Sequence, residues 1–479
     1  MLSLSPINLK NIFTSLAIAS VFFISALSNA QSSRSSTSGD EIWLGTYDQM
    51  LERGLIRVAV PYDRTIYIND KGVPRGLAVN MAQVFESWTN TKNAGEGKNK
   101  VSVKLIPIAR AELFTALSSG KADIVIGNLG VNQSLPYSNE FLLNHAFRFN
   151  REVLISGPSS INVENIHDLS GQTVYGGPNI NFDSTLQPLN KALNKAGKAP
   201  VNLISPLGVL DDEDLLEMVD AGLIPFVIIA DWKAKLWQPI YKNLQIHNDI
   251  YADDLGWVGS AVRSSNADLN AELSEFYRTD KFNNALDAFH EQEYKDHAKG
   301  LKDPVEKAAW ARFESMRLLF DKYGTEYKID PLFIASLGFQ ETLLNQNAVS
   351  KVGAVGVMQL MPATGNALGV GDIHLLEPNI HAGADYMNQL ITKYFPNINF
   401  AGKNRAIFAV ASYNIGPNNV AKARDLAKQQ GFDPDQWFGN VEFAAAEHMG
   451  YEPMVYVRNV YKYFISYELK LKKIQSIQP

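Results

Sequence analysis

Hydrophobic and polar positions follow two different periods along the chain, one before about residue 300 and one after it. In the first part, short apolar runs over residues 55–60, 101–106 and 122–127 predict β-strands, because runs of this length suit a pleated sheet. Helical spacing follows, for example over residues 77–88. This alternation predicts an α/β domain over residues 42–295, with open sheets of mostly parallel strands.

After Pro304 the strand pattern stops and apolar residues recur at helical spacing. The segments that predict helices are residues 308–323, Pro331–Thr342, and residues 381–394, 404–413 and 456–472. The polar stretch 296–307 predicts a linker. The second domain, over residues 308–479, is therefore predicted to be all-α.

The N-terminus has the organisation of a signal peptide. Lys10 precedes an apolar run over residues 12–27, and small residues follow at 28–30. We expect a cleaved signal peptide over residues 1–30 and a flexible Ser-rich leader over residues 31–41. An uncleaved membrane anchor is the alternative, but three serines interrupt the run, and a spanning helix needs about 20 apolar residues. Export predicts a periplasmic protein.

Composition excludes several classes of function. The formal net charge is -6, whereas a nucleic-acid-binding surface usually shows as a basic excess, so nucleic acid is not an expected partner. The chain has no cysteine, which excludes disulfides, thiolate metal sites, a Cys nucleophile and a lipid-anchored Cys. The histidines lack the spacing of a helical zinc motif. No metal and no cofactor is predicted.

One acidic residue continues an apolar helix stripe. Asp330-Pro331 is a strong helix start, because Asp caps free backbone N–H groups and Pro fits the first turn. Ile334 and Leu337 precede Glu341 at helical spacing, so the stripe points Glu341 toward the core. A poorly hydrated carboxyl group has a raised pKa, which a general acid near neutral pH requires. The alternative is a solvated Glu at the rim of the core.

A glycine-rich segment over residues 350–364 follows Glu341. Glycines let a backbone approach a bulky ligand closely, although the segment could also be a simple loop that enters a core helix. With Glu341 before it, the segment resembles the catalytic domain of soluble lytic transglycosylases, which is related to goose-type lysozyme. Further matches follow in the family's order: Asn379, Gly383 and Tyr386, then residues 411–417, then Glu452 with Tyr456-Val457.

This sequence departs from the family pattern at a few positions. The family commonly has Glu-Ser at the catalytic pair, where this chain has Glu341-Thr342 and keeps a hydroxyl. Gln346 stands where the family has Pro, and Pro453-Met454 follow Glu452 in place of Thr-Arg. The last change keeps Glu452 but alters its neighbours, and none of the changes removes Glu341.

The resemblance implies a single catalytic residue, Glu341. It would protonate the oxygen between N-acetylmuramic acid and N-acetylglucosamine, then take the proton of the muramic C6 hydroxyl as a 1,6-anhydro ring closes. Between Glu341 and Asp372 the chain has no other acidic residue, whereas ordinary glycosidases use two carboxylates. The family implies that the remaining substrate-binding positions are Ser350, Met358, Gln359, Tyr413, Asn414 and Glu452. Tyr413 and Met358 could instead be core residues.

The first domain resembles extracellular solute-binding proteins that serve amino-acid uptake. The matching phrases are residues 75–82, 117–123, 169–174 and 259–263. The resemblance implies two lobes joined by a hinge, with a ligand cleft between them. That family usually has an Arg shortly after the 122–127 strand to bind a carboxylate, because a guanidinium fork matches two oxygens. Residues 129–134 contain no Arg, so a free amino acid is a doubtful ligand.

The order of the modules, solute-binding-like and then catalytic, resembles a family of modular lytic transglycosylases of the cell wall. The expected fold is a two-lobed periplasmic-binding-protein-like α/β domain followed by an all-α lysozyme-like domain. The expected partner is peptidoglycan, with peripheral association with the outer membrane implied by the resemblance alone.

Other readings of the modules stay open. The first module is expected to bind a muropeptide or amino acid, or to act as a spacer or targeting module. The alternatives for the whole chain are a non-catalytic periplasmic binding or sensor protein that recognises peptidoglycan fragments, and a muramidase that hydrolyses the same bond.

Overall fold

The computed structural model describes residues 42–94, 99–128, 140–145, 151–176, 182–204, 209–253, 258–297 and 300–477. The predicted signal peptide and leader lie outside the described residues. So does the segment 129–134, where the expected Arg is missing.

The first domain alternates strands and helices along the chain, as the sequence predicts. Its elements are α1 (Tyr47–Arg53), β1 (Leu55–Pro61), β2 (Ile68–Asp70), β3 (Val73–Arg75), α2 (Leu77–Lys92), β4 (Ser102–Ile108), α3 (Leu113–Ser118), β5 (Ile124–Asn128), β6 (Phe141–His145), β7 (Arg151–Ser156), β8 (Thr173–Gly176), α4 (Phe182–Lys195), β9 (Asn202–Ile204), α5 (Asp212–Asp220), β10 (Phe226–Ala230), α6 (Asp231–Trp237), β11 (Gln245–Asp253), β12 (Val258–Arg263), α7 (Ala267–Phe276) and α8 (Asp280–His297).

Ten of the strands named above form two five-stranded sheets, each the centre of one lobe, and β2 and β3 pair with each other as a hairpin. The first lobe has the order β4–β1–β5–β12–β6, and the second has the order β11–β7–β10–β8–β9. Both sheets are covered on both faces: Val58 and Ala59 of β1 are buried in different hydrophobic clusters, as are Val227 and Ile228 of β10. Near-continuous apolar runs are typical of strands buried in this way.

The prediction of mostly parallel strands holds only for part of each sheet. Strand β1 pairs in parallel with β4 and β5, and β8 pairs in parallel with β9 and β10. The prediction is wrong for β12, which runs antiparallel to β5 and β6, and for β7, which runs antiparallel to β10 and β11. Strand β12 enters the first sheet only after the chain has built the second, and strand spacing along the sequence does not reveal that return.

The second domain is helical over the residues described, as predicted. Residues 300–306 connect it to α8, and its helices are α9 (Lys307–Tyr327), α10 (Pro331–Thr342), α11 (Pro362–Leu368), α12 (Leu376–Tyr394), α13 (Asn404–Ile415), α14 (Pro417–Gln429), α15 (Glu442–Met449) and α16 (Glu452–Ile477). Helix α10 packs on α16 through stacked rings of Phe333 and Phe464, 4.3 Å apart, and through Phe339 and Tyr463, 4.8 Å apart. These aromatic pairs bury the apolar stripe of α10.

The first lobe contacts the helical domain through the β2–β3 hairpin. Lys71 N donates to the carbonyl oxygen of Ala446 at 3.0 Å, and Tyr451 N donates to Asp70 Oδ1 at 2.9 Å. Ile68 packs beside Phe443 and Tyr451. The hairpin therefore holds the residue that immediately precedes α16.

Candidate active site

Glu341 lies in the last turn of α10. Asp330 caps the helix by accepting a hydrogen bond from Leu332 N at 3.0 Å, and Pro331 occupies the first turn. The helix ends sharply at Leu343 and Leu344, which have φ of 56° and 60°. Backbone hydrogen bonds hold this turn, from Leu343 N to Phe339 O at 2.9 Å and from Leu344 N to Gly338 O at 3.3 Å, and Arg312 donates to Leu343 O at 2.8 Å. The reversal carries the chain from Glu341 directly into the glycine-rich segment.

The carboxylate of Glu341 is half-buried and accepts a hydrogen bond from the hydroxyl of Tyr456 on α16. Burial raises the pKa of Glu341, and the hydrogen bond from Tyr456 partly opposes that rise by favouring the charged form. Burial and the nearby carboxylate also raise the pKa of Tyr456 well above its usual value. The phenol therefore stays protonated and remains a donor.

Tyr413 on α13 approaches the same site from another side. Its hydroxyl donates to the carbonyl oxygen of Met358 at 2.6 Å, and its ring meets Tyr386 edge to face with centroids 5.2 Å apart. Burial and then the charge of Glu341 raise the pKa of Tyr413 well above its usual value. Tyr413 thus lies close enough to Glu341 to respond to its charge, and it ties the glycine-rich segment to α13.

Asn379 on α12 organises the glycine-rich segment from beneath. Its side chain is fully buried, accepts from Met358 N at 2.8 Å, and donates to the carbonyl oxygens of Val355 and Ile373, each at 2.9 Å. Three bonds from one buried amide fix the segment, because buried backbone groups must find partners.

Two glycines make that close approach possible. Gly356 has φ of 77°, and a Cβ there would overlap the Asn379 amide. A Cβ on Gly383 would lie 2.6 Å from Met358 Cγ. Both positions therefore exclude a larger side chain, which gives a physical reason for the glycines at this end of the site.

The two departures near Glu341 also contact the segment. The Thr342 hydroxyl donates to the carbonyl oxygen of Val357 at 3.1 Å and accepts from Asn345 N at 3.1 Å. Gln346 accepts from Val357 N at 3.3 Å and donates to His374 O at 3.0 Å. The Thr342 hydroxyl therefore links the end of α10 to the glycine-rich segment.

The other sequence-predicted site residues differ in their exposure. Ser350 is half-buried, and its hydroxyl accepts from Ala354 N at 2.9 Å. Gln359, at φ of 47°, donates to Gly356 O at 3.0 Å. Asn414 is exposed beside Tyr413.

Met358 and Glu452 lie at opposite extremes of exposure. The Met358 side chain is fully buried against Gly383, which fits the alternative that it is a core residue. Glu452 is exposed at the first residue of α16, one turn before Tyr456.

Tyr456 is a functional candidate whose role the sequence does not reveal. It belongs to the quoted Glu452 and Tyr456-Val457 motif, and the spacing of four residues on a helix places both side chains on one face. That spacing was the available signal. Asn379 is another residue of the family pattern. Its side-chain hydrogen bonds hold the glycine-rich segment from beneath, like a clamp.

A separate cavity of about 500 Å³ lies where both lobes meet the helical domain. Tyr62 and Arg64 from the first lobe, Asp211 from the second, and Phe432 and Phe443 from the helical domain are among its lining residues. Tyr62 contacts Phe432 with ring centroids 5.1 Å apart. The helical domain therefore forms part of the wall of this cavity.

Among the residues that the structure describes, no cluster of three or more His, Asp or Glu side chains could hold a metal ion. No helix within the same residues is long and apolar enough to cross a bilayer.

The fold and site define a two-part protein, with an α/β module ahead of a helical domain that contains a half-buried glutamate, and comparison with known families bears on both parts. Residues 318–436 match the family described as Transglycosylase SLT domain. The chain is also similar over most of its length to proteins named Membrane-bound lytic murein transglycosylase F. The relative from Vibrio campbellii is 27% identical, with 88% of this chain and 81% of the relative covered. The relative from Shewanella denitrificans is 27% identical, with 81% and 74% covered. The resemblance stated from the motifs is thereby confirmed.

Two of the solved structures similar to this chain are a substrate-binding domain and a solute receptor. A substrate-binding domain of a putative amino acid ABC transporter from Streptococcus pneumoniae covers 50% of this chain and 98% of its own, at 14% identity and a TM-score of 0.37. The L-cystine solute receptor of Neisseria gonorrhoeae, in its unliganded open conformation, covers 52% and 95%, at 16% identity and a TM-score of 0.37.

Proposed function

We propose that this protein is a peptidoglycan lytic transglycosylase in which Glu341 acts first as general acid and then as general base. In the first step the Glu341 carboxyl group gives its proton to the glycosidic oxygen between N-acetylmuramic acid and N-acetylglucosamine, and the C1–O bond breaks. In the second step the carboxylate takes the proton of the muramic C6 hydroxyl as that oxygen bonds to C1. The product ends in a 1,6-anhydro ring, and no water is consumed.

The observation that carries this proposal is the half-buried carboxyl group of Glu341, which has one tyrosine bonded to it and a second tyrosine nearby. Tyr456 donates to Glu341, and Tyr413 responds to its charge. Within the described part of the chain, no second carboxylate contributes to the raised pKa of Glu341. Hydrolytic glycosidases place a second carboxylate about 5 Å, or about 6.5–9.5 Å, from the first. The lack, among the described residues, of a carboxylate that interacts with Glu341 favours internal attack by the sugar over attack by an activated water.

The remaining residues take supporting roles in this proposal. Tyr456 orients the Glu341 carboxylate, and Tyr413 fixes the glycine-rich segment through the Met358 carbonyl. Ser350, Gln359 and Asn414 are partly or fully exposed, so their polar groups can meet the glycan or its N-acetyl groups.

Met358 and Glu452 act differently from those three. The Met358 side chain is buried, so it supports the glycine-rich segment from below. Glu452 is exposed at the start of α16, where it can contact substrate at the margin.

We also propose a periplasmic location and a small ligand for the first module. The similar proteins are named as membrane-bound murein transglycosylases, which supports association with a membrane; we propose that it is peripheral and with the outer membrane, as the resemblance implies. The proposed ligand of the first module is an amino acid or a muropeptide. The cavity of about 500 Å³ at the junction of the three parts is large enough for a small ligand of this kind.

Product analysis tests the reaction. Purified peptidoglycan is digested with the full chain and the released muropeptides are weighed by mass spectrometry. Anhydro ends are expected, whereas reducing ends would identify a hydrolase. No release, beside an active control enzyme, would leave the binding-protein alternative. Glu314→Gln, an exposed change on α9 of the same chemical type, is the matched control for Glu341→Gln and is expected to keep full activity.

A further inference from the structure

Helix α16 is held by both lobes of the first module, and the residue that contacts Glu341 lies between the two points of attachment. On the first lobe, Asp70 accepts from Tyr451 N at 2.9 Å, just before the helix begins. On the second lobe, Asp214 of α5 pairs with Arg458 of α16. Tyr456 is located two residues before Arg458. The position of its hydroxyl therefore depends on where the lobes hold the helix.

The attachment to the second lobe is a buried network of charges. Asp214 is fully buried, pairs with Arg64 of the first lobe at 2.7 Å, and lies 3.6 Å from Lys462 of α16. Glu217 of the same helix α5 pairs with Lys462. Asp214 thus joins both lobes and α16 through one carboxylate.

The same arginine is shared with other carboxylates. Arg458 also pairs with Asp211 at 2.9 Å and with Glu442 at 2.7 Å. Arg458 and Arg64 lower the pKa of Asp214, so its carboxylate stays charged. Removing one partner from a buried ion-pair network leaves an uncompensated charge, which costs free energy of folding. We expect the remaining charged side chains to change position in response.

We infer, on the basis of the proposed role of Glu341, that Asp214 is a positioning residue for the reaction. Asp214 holds Arg458 and thereby sets the position of α16. The position of α16 in turn sets where the Tyr456 hydroxyl lies against Glu341. Asp214 lies in the module that carries no part of the catalytic motif. The second lobe is therefore a structural part of the active site.

The pKa of Glu341 distinguishes a positioning role of Asp214 from a simple electrostatic effect of its charge. The titratable groups that interact with Glu341 among the described residues are Tyr456 of α16 and Tyr413 of α13. If Tyr456 moves away, Glu341 loses a hydrogen bond to its charged form and its pKa rises. If Asp214→Asn acted only through space, loss of a negative charge would lower that pKa. The two explanations therefore predict opposite shifts.

The test is the pH dependence of kcat/KM for peptidoglycan digestion by the full chain. Activity that requires protonated Glu341 falls as the pH rises through its pKa. We expect Asp214→Asn to move this alkaline limb to higher pH, in the same direction as Tyr456→Phe. The double variant is expected to match Tyr456→Phe alone, because both single changes remove the same interaction, the hydrogen bond from Tyr456 to Glu341. Glu217→Gln is a milder change on the same helix, and it carries the test if Asp214→Asn fails to fold.

Asp123→Asn is the matched control. Asp123 is a fully buried carboxylate of the first lobe that pairs with Arg57 at 2.8 Å and Arg263 at 3.2 Å. We expect it to lower thermal stability without moving the alkaline limb. Unshifted profiles in Asp214→Asn and Glu217→Gln, a shift to lower pH, or an equal shift in Asp123→Asn would each overturn the inference.

A direct titration separates this inference from the proposed function. The pKa of Glu341 can be followed by ¹³C NMR of labelled glutamate, with its signal assigned by its loss in Glu341→Gln. Full turnover by Glu341→Gln would refute the proposed function, yet the titration would still report whether Asp214 affects Glu341. An unchanged titration in Asp214→Asn would refute only the positioning role.

Discussion

The hydroxyl of Tyr456 donates a hydrogen bond to the carboxylate of Glu341, and the two residues are separated by 115 positions in the sequence. One lies on α10 and the other on α16, so the packing of these helices sets the environment of the Glu341 carboxyl group. Burial alone would favour the neutral carboxyl group, and the phenol restores part of the stability of the charged form. The proposed mechanism needs Glu341 both to give and to take a proton, and this balance suits both steps.

Glu341→Gln is expected to fold and to lose activity. Gln keeps the size of the side chain and removes the titrating proton, so the loss should be at least the factor of about 10²–10⁴ typical of general acid–base catalysis. Turnover of purified peptidoglycan measures it, with Glu314→Gln as the control. Wild-type turnover by Glu341→Gln would show that another residue performs the proton transfers.

The same variant should change how stability depends on pH. The pKa of Glu341 in the folded protein is raised above its ordinary value of about 4.3. The stability that this group contributes is therefore fully present below its unfolded pKa and is lost as pH rises through the folded pKa. Glu341→Gln cannot titrate, so we expect its unfolding free energy to gain on that of the wild type as pH rises through this window. Urea unfolding at a series of pH values would measure it, and a constant difference would contradict the raised pKa.

Tyr413→Phe is expected to weaken the hold of α13 on the glycine-rich segment. The change removes the 2.6 Å hydrogen bond to the Met358 carbonyl and leaves a buried acceptor unpaired, at a cost of about 1–3 kcal/mol. We expect lower stability and a higher KM, because the segment carries Ser350 and Gln359, two of the proposed substrate-binding residues. Tyr386→Phe keeps the ring contact without touching that bond and serves as the control. Unchanged kinetics and stability would show that the hydroxyl does not support the site.

The sequence predicts local features of this fold well. The bounds of α10 follow from its Asp330 cap, Pro331 and apolar spacing, and the structure has the same bounds. Strand β1 was also predicted to within one residue. These features depend on neighbours in the chain, and such signals are present in a single sequence.

Contacts between distant segments could not be predicted in the same way. The hydrogen bond from Tyr456 to Glu341 and the pairing of Asp214 with Arg458, 244 positions apart, depend on tertiary packing. The antiparallel return of β12 depends on where the chain re-enters the first lobe. The hydrophobic periodicity of the sequence contains no information about these contacts or about the return of β12. The family motif brought Glu341 and Tyr456 into one set, but only the structure shows that they touch.

Asn379→Ala tests the clamp beneath the glycine-rich segment. The substitution leaves Met358 N and the carbonyl oxygens of Val355 and Ile373 without their partner. Several unsatisfied buried groups and a small cavity should cost about 3–5 kcal/mol in unfolding free energy. Asn419→Ala removes one part-buried bond to Ile415 O and is the matched control, with an expected cost of about 1 kcal/mol. Equal losses in the two variants would contradict the clamp.

Gly356→Ala and Gly353→Ala separate backbone strain from close packing in the same segment. Both glycines have positive φ, 77° and 89°, so alanine strains both backbones, at a cost of about 1 kcal/mol each. A Cβ at Gly353 would meet nothing within 4 Å, whereas a Cβ at Gly356 would overlap the fully buried Asn379 amide. We therefore expect Gly356→Ala to lose about 1–3 kcal/mol more unfolding free energy than Gly353→Ala, the usual cost of overpacking. It should also lose more activity, because Asn379 can yield only by releasing the segment. Equal effects in urea unfolding and peptidoglycan turnover would show that the glycines serve only the turn.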